Sequence, residues 1–207
     1  MFTDRRQAGR LLAASLARYA PQRPIVVALP RGGVPLAAEI AASLDAPLDI
    51  LAVRKLGAPG NPEFAIGALA EGGAPVVDGA SARRVGVDRA ALAALVAREA
   101  AELERRARSY RGDRPPLAVH GRVVIVVDDG LATGLTELAA VRALRALGAL
   151  RIVVAVPVAV APAIELLRAE ADDVVCLTVP RELGSVGSWY QDFSPVPDEE
   201  VLAALHG

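Results

Sequence analysis

Val123-Val124-Ile125-Val126-Val127-Asp128-Asp129-Gly130-Leu131-Ala132-Thr133-Gly134-Leu135-Thr136 is the stretch on which the reading of this chain turns. It opens with five consecutive β-branched residues, the composition of a strand buried on both faces of a parallel sheet. Asp128 and Asp129 stand where that strand ends. A short turn comes next and opens a helix predicted over Leu135 to Leu147, closed by Gly148. In open parallel sheets ligands bind beyond the carboxyl ends of the strands, where the strand order reverses. The acidic pair therefore lies at the place where such a fold puts its ligand.

The residue types name a ligand chemistry. Two carboxylates can accept hydrogen bonds from a vicinal diol, directly or through a hydrated metal. The turn from Ala132 to Thr136 offers backbone N–H groups, the Thr133 and Thr136 hydroxyls and the positive end of a helix, which together suit a phosphate monoester. A Walker loop is excluded because no Gly-Lys-Ser/Thr is present there, and no G-x-G-x-x-G opens a dinucleotide site. The plain alternative is an Asp-Asp-Gly turn ahead of a threonine-capped helix.

Outward from this segment, short β-branched runs alternate with amphipathic stretches, the pattern of an α/β fold with a mostly parallel sheet. Strands are predicted at Ile25 to Leu29, Leu48 to Val53, Val123 to Val127, Ile152 to Val156 and Val174 to Val179, with a short one at Val76 and Val77. Helices are predicted from Asp4 to about Tyr19, with Asp4 as cap, then over Gly33 to Leu44, Asp88 to Tyr110 and Val160 to Ala169. Residues 55–75, rich in Gly, Pro and Asn, read as a long flexible loop of the kind that closes over a site. The tail, 180–207, reads as a small cap over the sheet edge. The whole of 1–207 fits one domain.

Composition narrows the functional classes. Net charge is -1 and the pI is near 6.2, which gives no broad attraction to nucleic acid or to an anionic membrane surface. No stretch approaches the ~20 apolar residues of a membrane span, and the first residues lack an apolar leader core. The single cysteine, Cys176, lies in an apolar run and builds no disulfide framework. A cytoplasmic location is expected. Of 23 basic residues only Lys55 is a lysine. A compact, mobile ammonium beside a glycine-rich loop invites a specific role. His120 and His206 have no partners at metal-ligand spacing.

The 123–136 stretch resembles the signature of type I phosphoribosyltransferases, which bind 5-phosphoribosyl-1-pyrophosphate (PRPP). That signature has an apolar strand, two acids, two mostly apolar residues and a small-Thr-Gly-x-Thr loop. The resemblance implies the family's fold: a central, mostly parallel sheet flanked by helices, with a small hood. It implies that Asp128 and Asp129 contact the ribose hydroxyls and Mg²⁺, directly or through water, and that Gly130 and Ala132-Thr133-Gly134-Leu135-Thr136 hold the 5′-phosphate side. Gly130 stands where most members carry an aliphatic residue. Ala132 stands where 6-oxopurine enzymes place an aspartate, which makes an oxopurine acceptor less favoured.

Other parts match in order. Pro30-Arg31-Gly32-Gly33 resembles the family's pyrophosphate loop, where glycines permit positive φ and close approach. Arg54-Lys55 resembles the basic pair of adenine-type members. Together Arg31, Gly32, Gly33, Arg54 and Lys55 would meet the pyrophosphate, with Arg31, Lys55, Asp128 and Asp129 as the catalytic set. Glu63 and Glu71 are the acids of the expected lid. The hood would grip the base through Trp189, Tyr190, Asp192 and Phe193, three of which are among the chain's seven aromatics. The plain alternative for that cluster is an aromatic plug. The Arg-Lys-x-Gly-Ala-Pro-Gly-Asn-Pro-Glu-Phe and Trp-Tyr-x-Asp-Phe elements are similar to a bacterial group of predicted phosphoribosyltransferases of unassigned substrate. The activity that the resemblance implies is an Mg²⁺-dependent transfer of phosphoribosyl from PRPP to a nucleobase or amine, by a chain expected to form a homodimer. Two other readings stand beside it: a PRPP-sensing regulator without chemistry, and an unrelated nucleotide-binding module.

Overall fold

The computed structural model describes the chain apart from residues 113, 116, 117 and 207, and the side chain of Glu63 also lies outside the described residues. Five strands form a parallel sheet: β1 (Ile25–Ala28), β2 (Leu48–Ile50), β6 (Val123–Val127), β7 (Arg151–Val158) and β8 (Asp173–Thr178), in the order β2-β1-β6-β7-β8. From β1 the chain first steps to one side, to β2, and later to the other, to β6. The strand order thus reverses between β1 and β6, whose registers pair Ile25 with Val124 and Ala28 with Val127.

Both faces of this sheet are covered, and the continuous β-branched runs are the result. On β6, Ile125 and Val127 face helices α1 (Arg5–Leu16) and α2 (Gly33–Leu44), packing with Leu12, Leu16, Leu36 and Ile40. Val124 and Val126 face α5 (Leu135–Ala146) and α6 (Ala161–Arg168), packing with Leu138, Leu144 and Leu167. All five residues of β6 are buried, as the period-2 alternation of a two-sided strand requires. Asp4 caps α1, its Oδ1 accepting from the Gln7 N–H at 2.7 Å.

The expected long loop at 55–75 is instead mostly sheet. β3 (Val53–Ala58), β4 (Asn61–Ala70) and β5 (Val76–Val77) form an antiparallel three-stranded sheet of their own. The predicted strand Leu48 to Val53 is likewise split: β2 ends at Ile50 and β3 begins at Val53. The reason is tertiary. Leu56, Ile66 and Leu69 pack against Leu95, Leu103 and Ala107 of α4 (Arg89–Arg111), which gives the hairpin a core that its Gly and Pro content does not suggest. Glu71, a candidate lid acid, is ion-paired with Arg111 at the base of this unit, and Arg111 also donates to the Ile50 carbonyl. Glu71 is therefore a structural anchor between hairpin and α4. The short helix α3 (Gly79–Arg84) comes after β5, capped by Asp78.

The tail also holds a helix that its sequence does not announce, α7 (Asp198–His206), which packs on α2 and α4. Ahead of it, the tail is tied to the chain's beginning: Phe2 N–H donates to the Trp189 carbonyl and Gln191 N–H to the Phe2 carbonyl, both at 2.8 Å. Among the described residues no helix is long and apolar enough to cross a membrane.

Candidate functional site

The site lies at the reversal of strand order, where β6 and the β1–α2 turn come together. Leu29 N–H donates to the Val127 carbonyl at 2.9 Å. The turn then presses onto the end of β6. A Cβ on Gly33 would stand 2.3 Å from the Val127 carbonyl oxygen, and one on Gly32 would stand 2.1 Å from Asp129 Oδ2. Gly32 has φ -58°, in the right-handed region. Of the two reasons expected for these glycines, the structure uses close approach and not positive φ. The Pro30–Arg31 peptide is cis.

The two adjacent acids have different surroundings. Asp129 is tied down: Arg5 Nε sits 2.9 Å from its Oδ2, and the Tyr190 hydroxyl donates to its carbonyl at 2.6 Å. Asp128 lies at the edge of the cleft with its carboxyl recessed into protein. Its Oδ1 accepts from the Asp129 N–H at 2.8 Å, and among the described residues no cation is ion-paired with it. Its neighbour is instead Glu137, an acid that sequence reasoning passed over. Glu137 lies in the first turn of α5, is only 4% exposed, and lines the cleft with Asp128. Burial first, then the charges of Asp129 and Glu137, hold the Asp128 carboxyl well above the usual carboxylate range. Burial likewise pushes Glu137 up to about 7. The signal available in sequence was a charged residue placed three after Gly134, on the face of α5 that must turn inward.

The 130–136 loop is anchored underneath by Leu131, which is fully buried and bridges to Ala159 of the β7 end, its N–H donating to the Val158 carbonyl at 2.9 Å. Gly134 then takes φ +77° as the residue before α5, a left-handed conformation that favours glycine. The first N–H groups of α5 have no partner within the helix, and the residues that carry them, Leu135 to Glu137, line the cleft. The absence of a side chain at Gly130 is also explained. A Cβ there would stand 2.6 Å from Val186, whose methyls fill the space from the tail side.

Around these parts is a cleft of about 940 Å³. Asp128, Gly130, Ala132 to Thr136 and Glu137 line one side, Lys55 and Phe64 of the hairpin another, and Gly184 to Val186 of the tail a third. Lys55 and Arg54, adjacent in β3, point to opposite sides as strand geometry demands. Arg54 turns to α4, where Glu99 Oε2 lies 2.5 Å from its Nη2.

Several expected ligand contacts lie outside the walls of this cleft. Arg31 is exposed and sits 3.5 Å from Asp198 Oδ1 of α7, which also accepts from the Tyr110 hydroxyl. Tyr190 is buried between Phe2 and Phe193, with ring centroids 5.5 and 5.0 Å away, and the Arg5 guanidinium lies 3.8 Å over the Phe193 ring. The Trp189 indole N–H donates to the Leu183 carbonyl, and Asp192 accepts from Ser194. This aromatic group clamps the N-terminal segment and Arg5 onto the back of Asp129. Tyr190→Phe, which removes one part-buried hydrogen bond, is expected to cost about 1 kcal/mol in a urea titration.

Comparison with known proteins places the chain. The family model for the phosphoribosyl transferase domain matches residues 4–195. A Mycobacterium tuberculosis protein provisionally named a phosphoribosyl transferase is 44% identical over 205 residues, covering 99% of this chain and 46% of its own length. The chain thus spans about half the length of the curated relatives it matches. The crystal structure of TT1426 from Thermus thermophilus is 48% identical and superposes with a TM-score of 0.82 over 99% of this chain and 97% of that one. With a parallel sheet, an acidic strand end and a small-residue loop at the reversal of strand order, this chain belongs to the phosphoribosyl transferase domain family.

Proposed function

We propose that this domain binds PRPP with Mg²⁺ and transfers its phosphoribosyl group to a nitrogen nucleophile, a nucleobase or a related amine. The observation that carries the reading is one cleft with the Asp128 carboxyl and the 132–136 loop on one side and Lys55 on the other. The loop's N–H groups and the Thr133 and Thr136 hydroxyls would take the 5′-phosphate, and Asp128 a ribose hydroxyl. Lys55 would meet the pyrophosphate. In the transfer, the C1–O bond breaks with its electron pair leaving on pyrophosphate, the C1–N bond forms, and the acceptor nitrogen loses a proton. The ribose carbon passes through an oxocarbenium-like state.

The donor set suits a metal carried mainly by its substrate. Among the described residues no group of three His, Cys, Asp or Glu side chains is arranged to hold a cation alone. Mg²⁺ keeps several waters and bridges phosphate oxygens, so one recessed carboxylate, Asp128, fits it. When bound, the ion would neutralise charge on the leaving pyrophosphate. The acceptor would enter between Phe64 of the hairpin and Val186 of the tail. Arg31, the Gly32-Gly33 turn and Asp129 adjoin this site from behind, and Arg31 would reach pyrophosphate only after leaving Asp198.

Calorimetric titration with Mg-PRPP tests the reading. The wild type binds, and Asp128→Asn binds about tenfold more weakly, the loss of a carboxyl oxygen that would accept from a ribose hydroxyl. A folded wild type without affinity for Mg-PRPP would sink the proposal.

A further inference from the structure

A second cavity, of about 740 Å³, lies between β3 and α4. Lys55 lines both it and the cleft, but Asp128 and the 132–136 loop take no part in it. Among the described residues of its wall, four are cations, Arg54, Lys55, Arg98 and Arg106, and one, Glu99, is an acid. Glu99 is 8% exposed and stands between two of the arginines. Arg54 Nε and Nη2 lie 2.9 and 2.5 Å from its Oε2, and Arg98 Nε and Nη2 lie 3.1 and 3.0 Å from its Oε1. One buried carboxylate therefore holds two guanidinium forks side by side. Each fork carries more N–H donors than the single oxygen it meets can take. Arg106, about two turns further along α4, is engaged by Glu102, whose Oε1 lies 2.8 Å from its Nε. Counting Glu102, the cations around the cavity still outnumber the acids. The rest of the wall is apolar: Ala91, Ala94 and Leu95 on one face of α4, with Pro59 and Pro62 of the hairpin.

We propose that this cavity is a second ligand site, which takes a small organic phosphate of nucleotide size. Its phosphates would lie on Arg54 and Arg98, and its uncharged part against Leu95 and the two prolines. Guanidinium forks match phosphate oxygens two at a time, and charge-assisted bonds of this kind are the strong ones. Arg98 is 72% exposed along its side chain, and such a side chain ordinarily loses much freedom when it grips a ligand. Here Glu99 has already fixed it, so less is lost on binding. The volume lies within the roughly 300–1,000 Å³ of small-molecule sites. None of these features depends on what the cleft binds.

The probe is ATP, titrated calorimetrically in EDTA. Because the cleft can also attract phosphates, the titration uses Ala132→Glu, which sets a carboxylate at an exposed position of the cleft's loop and leaves the second cavity as it is. Two further variants are made in that background. Arg98→Ala removes one fork from an exposed helix position that alanine suits, and Ala94→Tyr fills the cavity without changing its charge. Ala132→Glu is expected to bind ATP, and each added substitution to weaken that binding about tenfold or more. Absence of ATP binding by folded Ala132→Glu overturns the proposal. So does an affinity kept within about twofold when Arg98→Ala is added, since a charged hydrogen-bond donor is worth more than that. Binding that survives Ala94→Tyr overturns it as well, by revealing attraction to surface charge and not a cavity.

Discussion

Lys55→Ala is expected to slow PRPP consumption about 100-fold, read as pyrophosphate release with a panel of nucleobases and amines, while the protein melts at the wild-type temperature. Among the described residues, two cations line the cleft, Lys55 and Arg142. Arg142 is engaged by Glu170, with Nε 2.8 and 3.0 Å from its two oxygens. Arg54, next to Lys55, is held by Glu99 on the other side of the hairpin. On the phosphoribosyl reading, Lys55, which lines the cleft with Asp128 and the 132–136 loop, would meet the charge developing on the departing pyrophosphate. Losing one donor aimed at developing charge typically costs ~10²-fold or more. Because Lys55 is exposed and sits in a strand held by Leu56 and Val53, its removal leaves the fold's core intact. Turnover within about twofold of wild type would remove Lys55 from the chemistry.

Gly33→Ala is the largest expected effect on stability. The obstacle is main chain: the Val127 carbonyl oxygen at 2.3 Å, and Asp128 Cα at 3.1 Å, from the new methyl. Neither can move cheaply. Val127 is in the middle of the five-stranded sheet, bonded to β1 and β7 registers, and its carbonyl already accepts from Leu29. Overpacking of this kind costs about 1–3 kcal/mol. For a domain of this size that corresponds to a fall of roughly 3–10 °C in melting temperature. Ligand affinity should fall as well, since the same contact sets the distance between the β1–α2 turn and the acids. A melting temperature unchanged to within a degree would show that the turn has slack.

The element order was largely legible, and for a clear reason. Strands such as Val123 to Val127 and Ile152 to Val156 are buried on both faces, so their side chains are uniformly apolar and announce themselves. The helix cap at Asp4 is a local hydrogen bond made by a residue next to the helix it starts, and it appears where the sequence puts it. The 55–75 segment misled because its strands owe their burial to α4, some thirty residues away, while their Gly and Pro content mimics a loop. The α7 helix was hidden for a similar reason: its contacts are with α2, α4 and β2, and its apolar stripe is short.

The sequence by itself determined the parallel core, the place of the acidic strand end and the small-residue loop beyond it. Those are consequences of local composition and of a chain that alternates strand with helix. Only the tertiary structure decided which side chains share the cleft. Asp129 was turned to Arg5, Arg31 to Asp198, Arg54 to Glu99 and Tyr190 to the back of the motif, while Glu137 was brought to Asp128. A charged side chain goes to the nearest partner that offsets its loss of water. That partner is set by which elements pack together, across separations of 124 residues for Arg5 and Asp129.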